Sequence, residues 1–333
     1  METINEVLNQ LRSYDEATLS DTICRDNFAQ ARSLLAIIEG EVGAGSIGGE
    51  VYREAVNALE MTSVASKQQS AFMRALGEAD VLGRWLYPAL ILCRSSSSSE
   101  ESLCGVLNFL QMFCGTPGSA LPPAVAGRLG HNLVKALASI ALEHEDDPQA
   151  EDGKLPPLCR GALLALAAVN LQVNPEGAVP AEDNRVFRGL LLLPKAEARE
   201  GALGQLLVKF YNRHLDSFAP WPHIISHLIN TLLAVPHVFA QVIYQTDLGV
   251  LAEVMGRNLE DLDVVAPDPV RRDIVATLAI VLADPLNRAS TRHQTPYLLR
   301  VLRFVAETSQ DETLVASTNA VIRTITDTCA DAS

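Results

Sequence analysis

The sequence predicts an all-α protein, an armadillo/HEAT-like helical-repeat solenoid with degenerate repeats, and three observations carry that expectation. Hydrophobic residues make up 48% of the 333-residue chain but aromatics only 5%, so Leu and Ala supply the burial. Both are strong helix formers, whereas sheet packing draws on aromatic and β-branched side chains. Apolar residues recur three and four apart in segment after segment, and no stretch shows the period of two that marks a strand. Helix pairs or triplets recur roughly every 40 residues, the period of armadillo and HEAT units, although no repeat consensus is visible.

Taken in order, the early helices are expected at Thr3–Leu11, Leu19–Ile38, Val51–Leu76 (broken near Thr62) and Ala79–Cys93. Ser102–Phe113, Pro123–Leu142, Pro157–Leu171 and Arg185–Leu192 follow. The C-terminal half adds Ala196–Leu215, whose Leu203, Leu206, Leu207, Phe210 and Tyr211 keep helical period, then Pro222–Leu233 and Val238–Tyr244. Leu248–Leu262, Pro269–Leu282, Tyr297–Glu307 and Thr313–Thr326 complete the series. Residues 1–333 read as a single α-solenoid, with less recognisable repeats over 1–150 and leucine-rich repeats over 155–330.

Four segments read as connections. Residues 40–49 are too glycine-rich to continue a helix. Residues 95–101 hold a serine run ending in Glu100 and Glu101, a polar linker leading into an N-cap or an acid-directed phosphorylation site. Residues 115–123 form a proline-rich turn, and 143–154, around HEDDPQAEDG, an acidic insertion.

The formal charge is -14 and the pI near 4.9. Nucleic-acid affinity rests on Lys and Arg releasing counterions, so a phosphate-backbone partner is not expected. A polybasic membrane anchor is not expected either. Cys24, Cys93, Cys104, Cys114, Cys159 and Cys329 form no C-x-x-C pair and sit mostly in apolar helical patterns, which predicts reduced, buried thiols. The N-terminal METINEVLNQLRSYDE is acidic and amphipathic, unlike a signal peptide. Runs such as Ala162–Leu171 are too short to span a bilayer. A soluble cytoplasmic protein is expected.

Catalytic and cofactor signatures are weak. Gly43-x-Gly45-x-x-Gly48 matches a dinucleotide fingerprint in spelling, but Ser33–Ile38 before it is a helical pattern where the motif needs a strand. His223 and His227 lie four apart, with His237 beyond, among apolar neighbours and without a metalloprotease glutamate. Structural histidines are the favoured reading. Glu260 and Asp261 are adjacent on a helix and point apart, so they make no acid/base couple. The expectation is a protein with no catalytic residues, no metal and no cofactor.

The most informative stretch is Val242–Leu262, VIYQTDLGVLAEVMGRNLEDL. Leu248, Leu251, Met255, Leu259 and Leu262 lay an apolar stripe along one helix face. Asp247 stands where an N-cap belongs, and Glu253, Arg257, Glu260 and Asp261 fall on the other face.

This stretch resembles the signature of the armadillo-like, leucine-rich domain of the WISH/DIP/SPIN family, an aromatic-Thr-Asn-Asp-Leu start leading to a Ser/Asp-Leu end. Tyr244, Thr246, Asp247, Leu248 and Val250-Leu251 match the start, and Asp261-Leu262 the end. Val270-Arg271-Arg272 stands where the family carries a Leu-Arg-His-like step, but the aromatic expected soon after is Ile274. Asn212-Arg213 with Asp216 resembles an Asn-Arg-x-x-Asp step. Asn170-x-Gln172 resembles an Asn-Glu-Gln step with Leu171 in place of the acid. The resemblance covers about residues 155–310 and fades toward the N-terminus.

The resemblance implies a partner, the actin-related protein two/three complex, and through it actin. Family members activate this nucleator without a preformed filament, seeding linear filaments at cortical or endocytic actin patches. Beside that family this chain reads as a minimal, repeat-only version. Arg257, Asn258, Arg271, Arg272, Arg300 and Arg303 concentrate positive charge where the resemblance is best, and are the candidate partner-binding set on the outer helix edges. The same residues also read as solvated faces paired within the chain. The rival function is an armadillo/HEAT adaptor for another client, such as a trafficking or small-GTPase factor. Monomer and homodimer are equally compatible with the sequence.

Overall fold

A computed structural model of the chain describes residues 25–46, 49–65, 69–78, 80–95, 100–115, 121–145, 155–174, 183–193, 201–214, 221–233, 245–261, 269–283, 288–289 and 291–330. Among these residues there are fifteen α-helices, one π-helical turn and no β-strand. The helices expected at Thr3–Leu11 and Val238–Tyr244 lie outside the described residues. The chain divides into two compact units, the first built mainly from residues before Pro175 and the second mainly from Leu193 onward.

The first unit holds α1 (Arg25–Gly43), α2 (Glu50–Ala65), α3 (Gln69–Glu78), α4 (Tyr87–Ser95), α5 (Glu100–Gly115), α6 (Pro123–Ala126), α7 (His131–Glu143) and α8 (Pro157–Val173). The short α9 (Arg185–Leu191) lends it its second half. Consecutive helices pair as α1 with α2, α4 with α5 and α7 with α8. The second members α2, α5 and α8 lie side by side, and the first members α1, α4 and α7 form the layer behind them. Residues 161–170 of α8 are buried on every side, which is why this Ala/Leu run shows little amphipathic bias.

Three local departures from the sequence expectation have physical causes. Helix α1 runs through Gly40 to Gly43 instead of stopping at a loop, because Ile38 and Val42 in its last turns are buried. It closes with Ala44 N–H on the Gly40 carbonyl (3.0 Å) and Gly45 at φ +72°, a conformation suited to glycine. The single helix expected over Pro123–Leu142 is two, with Gly127 ending α6 and Gly130 starting α7 so that Leu129 between them turns fully inward.

The third departure lies ahead of α4. Pro88 has no N–H for the Arg84 carbonyl, and the chain there widens into a π turn at Leu82–Leu86, with the Tyr87 N–H on the Leu82 carbonyl. The wider turn drives Leu82, Trp85 and Leu86 into the core. Trp85 is 0% exposed; its indole N–H donates to the Tyr52 hydroxyl at 3.1 Å, and its ring centroid lies 4.6 Å from that of Phe109.

The second unit holds α10 (Ala202–His214), α11 (Trp221–Leu233), α12 (Gln245–Asp261), α13 (Pro269–Ala283), α14 (Thr295–Thr308) and α15 (Glu312–Ala330). Here too consecutive helices pair, α10 with α11, α12 with α13 and α14 with α15. The first members α10, α12 and α14 make one layer; α11, α13 and α15 make the other. In α12 the stripe of Leu248, Leu251, Met255 and Leu259 is buried, as its spacing predicts. Each such side chain contributes about 1.5–3 kcal/mol on leaving water. Gly256 allows the close approach of α14: a Cβ there would fall 2.7 Å from the Tyr297 ring.

Candidate functional site

The first-helix layer of the second unit carries most of the sequence-selected residues. On α12, Val250, Glu253, Arg257 and Glu260 follow helical spacing and face solvent. On α14 the exposed face holds Arg300, Arg303, Phe304 and Glu307. Val250 is 47% and Phe304 43% exposed, large values for apolar side chains.

Polar bonds lace the layer together. Arg257 donates through Nη2 to Asn212 Oδ1 on α10 at 3.0 Å. Asn258, half-buried, donates to the Tyr211 carbonyl at 3.4 Å. The Tyr297 hydroxyl donates to Glu260 at 3.1 Å, and Arg300 pairs with the same carboxylate at 3.5 Å while its guanidinium lies over the Tyr297 ring. Partial burial first, and then the bond to Glu260, push the Tyr297 phenol up to about 12. Beneath the layer the Tyr211 hydroxyl bonds Ser226 on α11, and burial raises its pKa.

Of the six partner-binding candidates one, Arg271, is placed otherwise than expected, and a second, Arg272, is exposed but paired within the chain. Arg271 is fully buried, not on an outer edge. It falls three, four and seven positions before Ile274, Val275 and Leu278, so helical spacing puts it on the core stripe of α13. Arg272 does face solvent, but its Nε donates to Asp311 at 2.6 Å. Asp311 in turn accepts the N–H groups of Thr313 (3.1 Å) and Leu314 (3.2 Å), capping α15. Arg272 therefore ties α13 to the start of α15.

The family-like positions are mainly structural where they are described. Asn170 is buried and accepts from Asn174 at 2.8 Å. Gln172 donates to the Cys114 carbonyl at 2.5 Å and accepts the Leu121 N–H at 2.8 Å, fixing the connection after α5. Asp247 is not the N-cap of α12 but stands in its first turn, since the helix begins at Gln245. Burial raises its carboxyl pKa, the opposite of what capping hydrogen bonds would do. Leu248 is buried and Asp261 exposed. Asp216, Tyr244, Leu262 and the side chains of Arg213 and Thr246 lie outside the described residues.

Sequence reasoning missed Arg292 and His293, both exposed in the turn that leads into α14, and the neighbouring Phe304. The signal was available: no Asp or Glu occurs between Asp284 and Glu307 in a chain of net charge -14, while Arg288, Arg292, His293, Arg300 and Arg303 all do.

Elsewhere the chemistry is sparse. Among the described residues no group of three or more His, Cys, Asp or Glu is placed to hold a metal ion. Cys93, Cys114 and Cys159 are buried free thiols and Cys104 is half-buried, and burial raises the pKa of Cys93 to about 11. No described helix is long and apolar enough to cross a membrane. What the layer offers is guanidinium groups, an amide and exposed apolar side chains, the chemistry of protein recognition. No protein-family model matches the chain, and no curated protein matches it.

Proposed function

We propose that the chain is a helical-repeat scaffold of the armadillo/HEAT kind that binds the actin-related protein two/three complex and activates it to nucleate linear actin filaments. The observation that carries the reading is the second unit itself. Three helical hairpins pack in two layers around the leucine-striped α12, the helix whose sequence resembles the WISH/DIP/SPIN signature. The hairpin pairing recurs in the first unit, as a stack of repeats requires. The exposed Arg257, Arg300 and Arg303, with the half-buried Asn258 beside them, supply contacts for a protein partner. Arg271 and Arg272 belong to the framework.

Activation in this reading is a population shift. The scaffold binds the filament-like arrangement of the nucleator more tightly than the inactive one, and a hundredfold bias requires about 2.7 kcal/mol of differential contact. Actin polymerisation with the purified nucleator complex, without an activating peptide or seeds, tests it. The chain shortens the lag, and Arg257→Ala lengthens it again with helicity unchanged. An unchanged lag together with no co-purification overturns the proposal in favour of a scaffold for another client.

A further inference from the structure

The outward face of α14 is unlike the rest of this acidic chain. Arg292 and His293 stand exposed just ahead of the helix; Arg300 and Arg303 follow on its solvent face, with Phe304 beside them. Arg300 is already partly engaged by Glu260 and held over Tyr297. Among the described residues Arg292, His293 and Arg303 make no ion pair, and the nearest acid on the helix itself is Glu307, one turn beyond Arg303. The buried side of α14 is given over to Leu298, Val301, Leu302 and Val305, which pack toward α12 and α15. Arg292, His293 and Arg303 lie exposed outside that apolar packing, and Phe304 leaves 43% of its surface uncovered beside them.

We infer that this face is a docking surface for an acidic protein segment carrying an apolar anchor side chain. Guanidinium groups take carboxylates in pairs of parallel hydrogen bonds, which places Asp or Glu of the partner over Arg292 and Arg303. Phe304 gives the anchor a partly exposed aromatic surface to cover, the combination of Arg and aromatic side chains that dominates binding energy at interfaces. Charge decides the class of occupant. A membrane or nucleic acid is an extended polyanion that meets the repulsion of the whole chain of net charge -14, whereas a short acidic segment reaches only the local cations within about 10 Å. The inference rests on the second unit being a docking scaffold, as proposed above, and not on which machine docks there.

The test is selection of a phage-displayed random peptide library on the full chain, repeated on Arg292→Glu/Arg303→Glu and on Phe304→Ser. The wild type enriches peptides rich in Asp and Glu around one or two apolar residues. A synthetic copy of the enriched peptide then binds the charge-reversed chain at least about tenfold more weakly, and binds the wild type less tightly as salt rises. Phe304→Ser weakens the same peptide, while far-UV circular dichroism of both variants matches wild type. Enriched sequences without acids, or equal binding by the charge-reversed chain, overturn the inference. So does tighter binding to phosphatidylserine vesicles than to the peptide, or a change in sedimentation of the free chain on charge reversal, which would make the face a contact between two copies. Peptide binding without any effect of the chain on actin lag removes the actin reading and leaves this one standing. A shortened lag with no acidic-peptide binding does the reverse.

Discussion

Gly40 and Gly189 both sit inside helices, yet their surroundings assign them opposite roles. A Cβ on Gly40 would meet nothing within 4 Å, so Gly40→Ala removes backbone freedom from the unfolded chain and stabilises by about 0.5–1 kcal/mol. A Cβ on Gly189 would fall 2.6 Å from Val134 Cβ and 2.8 Å from the His131 carbonyl oxygen. A β-branched side chain and a backbone atom yield little, so Gly189→Ala costs roughly 1–3 kcal/mol. Thermal melts should move in opposite directions for the two variants; shifts of the same sign would refute the packing of α9 on α7. Arg271 makes a second residue-level case. Arg271→Glu inverts a charge at a fully enclosed position and should cost roughly 3–5 kcal/mol, visible as loss of helical signal, whereas the same change at exposed Arg303 leaves the signal intact. The placement of Arg271 was legible from its spacing to Ile274, Val275 and Leu278. In the sequence its charge singles it out for an outer edge, and the general exposure of arginines does not hold at this position.

At the scale of elements, the tie between α13 and α15 makes a pH-dependent contribution whose sign follows from Asp311. Arg272 above all, with the N–H groups of Leu314 and Thr313, holds this carboxyl below its ordinary 3.8. A depressed carboxyl stabilises the fold above its unfolded pKa and loses that contribution as pH falls through the folded one. Arg272→Ala should therefore lower Tm at neutral pH, and the gap to wild type should close as pH drops below 3.8. A gap that persists unchanged in acid would show that Arg272 acts by packing alone. Helix existence was largely legible because each segment carries its own 3.6-residue apolar period, as α12 shows with Leu248, Leu251, Met255 and Leu259. Breaks were less so. The α6–α7 division depends on where Leu129 finds burial, and the π turn on how Pro88 meets the carbonyl four residues before it; both are settled by tertiary neighbours.

For the whole molecule, the described residues group into two compact units, a division that the sequence did not mark. Helical period says which face of an element is buried but not how contacts distribute along the chain. The candidate surface was legible to a similar degree: Arg257, Arg300 and Arg303 were found by charge and do face solvent, Arg292 was open to the same charge argument, and Phe304 needed the exposed face of α14 to give it meaning. The chain has two tryptophans, Trp85 in the first unit and Trp221 in the second. With Trp221→Phe, intrinsic emission reports the first unit alone while far-UV circular dichroism reports both. We expect the two denaturation curves to separate; superimposed curves would mean that the units melt as one cooperative block. The enclosed Trp85, hydrogen-bonded to Tyr52, thus makes the chain its own spectroscopic probe. Its fluorescence should begin at short wavelength and redden as α2 parts from the π turn, marking the opening of that half without an added dye.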